Sequence, residues 1–173
     1  MDWNLGDTQL LLKECRKQGL NDTHTAYVLA TAYHETNHTM KPVREAYWLS
    51  ENWRRDNLRY YPWYGRGYVQ LTWRRNYEYA GEALGVDLTS DADAVMQPDV
   101  AARIIAIGMR DGWFTGKKMS DYSDFVEMRR VVNGSDKAAL IAGYADDYLR
   151  ELPEQKPGFD WGALFKLIMG RRS

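Results

Sequence analysis

Residues 59 to 71, RYYPWYGRGYVQL, place Pro62, Gly65 and Gly67 among five aromatic side chains. Proline lacks the amide that a helix ladder requires, and glycine loses the most backbone freedom on ordering, so this stretch cannot continue a helix. It reads as loop, with room for a short strand at Tyr68 to Leu71 and for a small β-hairpin. The chain must therefore be built from helical blocks on either side of an irregular, aromatic middle.

The flanking blocks carry helix signals. GDTQLLLKECRKQG has Asp7 as a cap and Gly19 as a stop, and NDTHTAYVLATAYHETN sets Ala26, Leu29, Ala30 and Tyr33 along one stripe. That second helix should end near Glu35, because Asn37, Thr39 and Pro42 break the pattern. A short helix is expected between Leu49 and Asn57. Thr72 can cap WRRNYEYAGEAL, with Gly85 after it. Pro98 opens a further helix whose buried face is Ala101, Ile104, Ile105 and Gly108. SDYSDFVEMRRVVNG and SDKAALIAGYADDYLRE give two more, and a short last helix is expected from Trp161 to Ile168. No repeat, low-complexity tract or linker divides the 173 residues. The expectation is a mainly α fold with one domain over 1–173.

Twelve Tyr and seven Trp stand against four Phe, a bias toward flat apolar faces with a hydrogen-bonding edge, as interfaces and sugar clefts use. A formal net charge of −1 gives no general attraction to nucleic acid. Residues 41 to 75 hold eight Lys or Arg and three acids, whereas residues 76 to 100 hold six acids and no base. The basic stretch suits either an anionic polymer or a solvated face. Cys15 is alone, so no internal disulfide forms and folding in a reducing compartment is expected. MDWNLGDTQLLLKECRKQ has neither a basic leader nor a long apolar run, so no signal peptide or stable membrane insertion is expected, and action outside the cytoplasm would need another route out.

AYHETNHTM contains His34, Glu35 and His38 at the H-E-x-x-H spacing of a zinc peptidase helix. A third ligand is needed, and His24 lies ten residues earlier on the same helix, roughly 15 Å away at its rise per residue. Glu45 or Glu51 could stand in. The other reading treats Glu35 as a general acid. A carboxylate at a helix C-terminus meets the unfavourable end of the dipole, and Tyr33 with nearby aromatics would desolvate it, so it would tend to keep its proton. Glycoside hydrolysis then needs a second carboxylate across the bond, and Glu45, past Pro42, could return over a cleft.

AYVLATAYHET, then YYPWYGRGYVQLTWRRNYEYAGEALGVDL, then MRRVVNG resemble the pattern of glycoside hydrolase family 19, shared by plant-type chitinases and many bacteriophage endolysins. The likeness runs from Ala26 to Gly134, and its most specific block is G-R-G-x-x-Q-L-T-W-x-x-N-Y. The short length and missing cysteine pattern resemble the endolysin branch. The resemblance implies a lysozyme-like helical domain with a catalytic cleft, no metal and no cofactor. It makes Glu35 the general acid and Glu45 the general base, with Glu51 as the alternative base, and it places Thr72 on the attacking water. Gln70, Asn76 and Asn133 fall on sugar-contacting positions, and Trp63, Tyr64 and Tyr68 could offer ring faces to sugars or form core. Arg66, Arg129 and Arg130 either hold a carboxylate ionised or make structural ion pairs. His34 would fix the helix end and His38 would be exposed. The implied substrates are peptidoglycan glycan strands, with muramidase action, or chitin. A non-catalytic wall-binding protein stays open beside them. A monomer released from the host cytoplasm by a holin-type partner is implied for the endolysin reading.

Overall fold

The computed structural model describes residues 1–154, so the helix expected at Trp161 to Ile168 lies outside the described residues. Its order is α1 (Thr8–Lys17), α2 (Asp22–Glu35), β1 (Val43–Arg44), α3 (Glu51–Asn57), β2 (Arg66–Gly67), α4 (Arg74–Leu84), α5 (Pro98–Asp111), α6 (Phe125–Met128) and α7 (Ala138–Glu151). Short 3-10 turns at Ala92–Met96, Met119–Asp121 and Arg129–Val131 join the later helices. The mainly α architecture is the one the helix signals imply.

The centre of the fold is α2. Every residue from Thr25 to Ala32 is buried, so the helix is enclosed all round rather than along the single stripe its pattern suggested. Asn21 starts it by accepting the His24 amide at 2.8 Å. Helix α7 lies along α2, and Tyr148 on α7 meets Trp3 edge to face at 5.6 Å. Helix α5 carries Ile104, Ile105 and Met109 into the core and closes over α1. Burial pushes the Cys15 thiol up to about 12, which keeps it an inert thiol in the core.

The sheet is smaller than expected and sits upstream of Tyr68. Val43 pairs with Gly67 and Arg44 with Arg66, antiparallel. Gly67 has φ 87 and Gln70 has φ 55, so the chain turns back at once and Arg66 bridges Leu71. Tyr68 is drawn wholly into the core, where its hydroxyl donates to Asp7 at 2.7 Å. Asp7 therefore occupies the N-cap position of α1 with its carboxylate committed elsewhere. No helix among the described residues is long and apolar enough to cross a membrane.

Candidate active site

Glu35 is the last residue of α2. The helix stops there because the hydroxyl of buried Thr36 donates to the Ala32 carbonyl at 2.8 Å and accepts the Met40 amide at 3.0 Å. Asn37 and His38 then take φ 51 and 64, reversing the chain. Thr36 thus does the fixing expected of His34, which lines the cleft beside Glu35 instead. Desolvation is the main cause that lowers the His34 pKa, so its ring is uncharged near neutral pH. His38 is exposed, stacked on Tyr33 at 4.4 Å, in surroundings unlike those of His34. Among the described residues no three of His, Cys, Asp and Glu group to hold a metal ion, so the zinc arrangement has no third ligand there.

The apolar wall expected around Glu35 is replaced on one side by a cation. Arg129 Nη1 lies 2.8 Å from Glu35 Oε1, with the side chains 3% and 20% exposed. The pair is a charge contact without an aligned N–H···O bond, and Nε of Arg129 is held by the Asp136 carbonyl at 3.0 Å. Tyr33 turns toward α7, where it meets the edge of Tyr144. Arg130, expected to support the carboxylates, points outward to Glu127 at 2.8 Å. A single residue step around the 3-10 turn separates the two roles.

Glu45 follows β1 directly. Its amide donates to the Gly65 carbonyl at 2.7 Å, and its carboxylate accepts the Tyr60 hydroxyl at 2.6 Å and the Gly65 amide at 3.0 Å. Both oxygens act as acceptors, the arrangement an ionised carboxylate provides. Burial first, then the bond to Glu45, pushes the Tyr60 phenol up to about 12, so it stays a donor. A Cβ on Gly65 would stand 2.7 Å from Gln70 Oε1 and 3.3 Å from Glu45 Oε2, so a side chain there would press on Gln70 and on the carboxylate. Buried Arg54 braces the segment from behind, bonding the carbonyls of Glu45 at 2.8 Å and Ala46 at 3.1 Å.

Glu35 and Glu45, from separate segments, line one open cavity of about 450 Å³ together with His34, Gln70, Tyr47 and Trp48. Glu51 lines a neighbouring cavity of about 620 Å³, held by Arg54 at 3.0 Å and by the Tyr64 hydroxyl at 2.9 Å. Val43, Arg44 and Tyr47 form the wall common to both cavities. Three cleft residues without glycine's freedom, Asn37, Ala46 and Gln70, hold φ of 51, 49 and 55.

Several expected contacts take other forms. Thr72 does not cap α4: Trp73 holds the N-cap position without a side-chain bond, and the Thr72 hydroxyl donates to the Gln70 carbonyl at 2.8 Å. Toward a water it can only accept. Asn76 donates to the Thr72 carbonyl at 2.7 Å, Gln70 to the Val43 carbonyl at 3.2 Å, and exposed Asn133 accepts the Gly134 amide at 2.9 Å. Tyr64 and Tyr68 are fully buried and present no ring face to a sugar; the Tyr64 hydroxyl holds Glu51 and the Tyr68 hydroxyl ties the loop to Asp7 at the start of α1. Trp63 is half-buried against the core with the Arg74 guanidinium 5.1 Å from its ring. Arg66 is buried, 2.8 Å from Asp93 and 3.6 Å above the Tyr64 ring, so it braces the loop and touches neither Glu35 nor Glu45.

Sequence reasoning passed over Tyr47 and Trp48, which meet edge to face at 5.1 Å at the cavity mouth and are 56% and 72% exposed. Two consecutive aromatics just after the break at Pro42, with no apolar pattern around them, were the available signal. Tyr60 was also missed, since nothing local marks a contact fifteen residues back in the chain.

A family model described as chitinase class I, of the family 19 glycoside hydrolases, matches residues 19–139. Chitinase 8 of Oryza sativa subsp. japonica is 40% identical over 86 residues, covering 48% of this chain and 31% of its own. Endochitinase CHI of Arabidopsis thaliana is 35% identical over 98 residues, covering 52% of this chain and 34% of its own. The chain thus spans about a third of the length of the curated relatives it matches. In three dimensions it is similar to chitinase C from Streptomyces griseus HUT6037, with TM-score 0.64, 21% identity, and 85% and 70% of the two chains covered. A family GH19 class IV chitinase from Zea mays has TM-score 0.58 at 22% identity, covering 86% of this chain and 84% of its own. At those identities the likeness is one of fold, mainly α and lysozyme-like.

Proposed function

The chain belongs to glycoside hydrolase family 19, and we propose that it hydrolyses the β-1,4 bond beside an N-acetylated sugar, with inversion at the anomeric carbon. One observation carries the reading: two carboxylates from separate segments, Glu35 and Glu45, face a single open cavity with exposed aromatic rings at its mouth.

In this reading Glu45 is the base. Tyr60 and Gly65 donate to its two oxygens, so it is oriented to take a proton from a water lying between it and the sugar. An inverting pair leaves room for that water by separating the carboxyl groups by about 6.5–9.5 Å. The Thr72 hydroxyl, its hydrogen committed to the Gln70 carbonyl, turns a lone pair to the same water. Glu35 gives its proton to the glycosidic oxygen, and that proton rides on Oε2 while Oε1 faces Arg129. Arg129 then stabilises the carboxylate that the transfer leaves behind. Gln70, Asn76 and Asn133 contact acetamido and hydroxyl groups, Tyr47 and Trp48 lie against sugar faces, and Glu51 serves as counter-ion to Arg54.

The substrate in this proposal is peptidoglycan, cut on the muramic acid side. Of the eight bases in residues 41 to 75, Arg54 and Arg66 are buried, while Lys41, Arg55, Arg59, Arg74 and Arg75 stay exposed. Arg44 remains on the cavity wall, paired with Asp93 at 2.8 Å yet 34% exposed. The acidic peptide carried on the muramic acid's lactyl group meets that cation, whereas uncharged chitin has no use for it. Cytoplasmic accumulation and holin-type release belong to the same proposal. The second reading is chitin hydrolysis, favoured by the relatives' names.

Mass analysis of products from defined peptidoglycan and chitin oligomers decides between them, because the new reducing end names the bond. NMR of fresh products reads the anomer. Glu35→Gln and Glu45→Gln should each abolish turnover while remaining folded. Wild-type turnover by a folded Glu45→Gln removes it as the base, and no cleavage of either oligomer by the parent chain removes the hydrolase reading.

A further inference from the structure

A further cavity of about 470 Å³ opens between the outer face of α4 and residues 112–116, and the chemistry above leaves most of it unused. Its loop is built to be rigid. Gly112 and Gly116 hold φ 81 and 80, which an L side chain rarely adopts. The Phe114 ring fills the space a Cβ on Gly108 would need, 2.5 Å away, and so locks the loop onto α5. The Thr115 hydroxyl reaches the carbonyls of Arg130 at 2.7 Å and Val131 at 3.0 Å.

Rigidity here presents Trp113 to Tyr79. Their rings meet at 89° with centroids 5.5 Å apart, and Tyr79 is 54% exposed. Trp113 is half-buried against the core while Tyr79 stands open to water, so the right-angled pair forms a corner at the core's edge. A pyranose has an apolar C–H face and a polar rim, so it can lie on one ring with its rim toward polar groups. Such groups are in place. Asn76 has its Nδ2 on the Thr72 carbonyl and its oxygen uncommitted among the described residues, ready to accept an acetamido N–H. Arg75 pairs with no carboxylate among the described residues. The cavity is also joined to both halves of the catalytic arrangement: Asn76 is bonded to Thr72, and Thr115 to the turn that carries Arg129.

We propose that the Tyr79–Trp113 corner is a second glycan-holding site, outside the carboxylate cleft, that stacks an N-acetylhexosamine of the bound strand away from the bond being cut. The proposal rests on the glycosidase reading. Its test uses the full chain carrying Glu35→Gln, so that polymer survives, in sedimentation binding to insoluble chitin and to purified peptidoglycan. Adding Tyr79→Ala should weaken binding to at least one polymer about fivefold, and Tyr79→Phe should restore it. Trp113→Leu should weaken binding likewise, with circular dichroism and melting temperature reporting the fold of each variant. Unchanged affinity of a folded Tyr79→Ala for both polymers overturns the corner, as does no binding by the Glu35→Gln parent. Cleavage of short soluble oligomers by the chain with native Glu35 is scored separately; its absence would instead overturn the glycosidase reading.

Discussion

Replacing Tyr60 by Phe removes one hydroxyl, the donor 2.6 Å from Glu45 Oε1. That separation is in the range of charge-assisted O–H···O⁻ bonds, and hydrogen bonds to charged groups are worth about 1.5–3 kcal/mol. The ring stays, and with it the edge contact to Trp73 at 4.9 Å, so the fold loses little. Glu45 keeps only the Gly65 amide and is freer to swing away from the attacking water. If the whole bond acts on orientation of the base, kcat/KM on a soluble oligosaccharide should fall by about 10- to 150-fold. The melting temperature should move by no more than ~4 °C. Tyr64→Phe is the matched control, since it takes an equivalent hydroxyl from Glu51, at 2.9 Å. It should leave turnover within about twofold, given surface-like effects on a group outside the chemistry. The reverse pattern, with Tyr60→Phe silent and Tyr64→Phe impaired, would refute Glu45 as base and install Glu51.

Three further outcomes follow from the same geometry. Gly65→Ala puts a methyl 2.7 Å from Gln70 Oε1 and 3.3 Å from Glu45 Oε2, and kcat should drop on the order of 100-fold, measured beside thermal melting. Arg129→Gln leaves Glu35 without its buried partner, and denaturant melts should show a loss of about 3 kcal/mol, part of which Glu35→Gln recovers in the double variant. His34 has a folded-state pKa below the unfolded value of 6.5, chiefly through desolvation, so the unfolded chain takes up the proton first. Stability should therefore decline as pH falls below about 6.5, and His34→Gln should show a smaller decline between pH 7.5 and 5 in thermal melts.

Helices were the legible part of the chain, because their caps and stops are local. Asn21, Ser50, Pro98 and the left-handed Gly85 and Gly112 mark ends that neighbouring residues explain. Glu35 at the end of α2 could be placed for that reason, and the glycines of the aromatic middle could be read as permitting close approach, which Gly65 does against Glu45. What surrounds those groups was not legible. Whether Arg129 or Arg130 faces Glu35 depends on one step around a short turn with no periodic pattern to set its phase. Tyr64 and Tyr68 sit among loop residues that look exposed, yet Glu51 and Asp7 supply carboxylate acceptors from other segments, so the rings can be buried with their hydroxyls bonded. Thr72 looked like a cap because α4 follows it, but the Gln70 carbonyl, exposed by that residue's left-handed turn, takes its hydrogen.

Asn37, Ala46 and Gln70, left-handed around the cleft without being glycine, have a consequence for engineering. Each conformation costs on the order of 1 kcal/mol that a glycine would relieve. A library selected only for heat resistance should therefore drift toward glycine at these sites, and in doing so erase the side chain and the stiffness that shape the wall. Variants chosen by melting temperature and variants chosen by turnover would then part company at the same three codons, an outcome that sequencing the two pools would reveal.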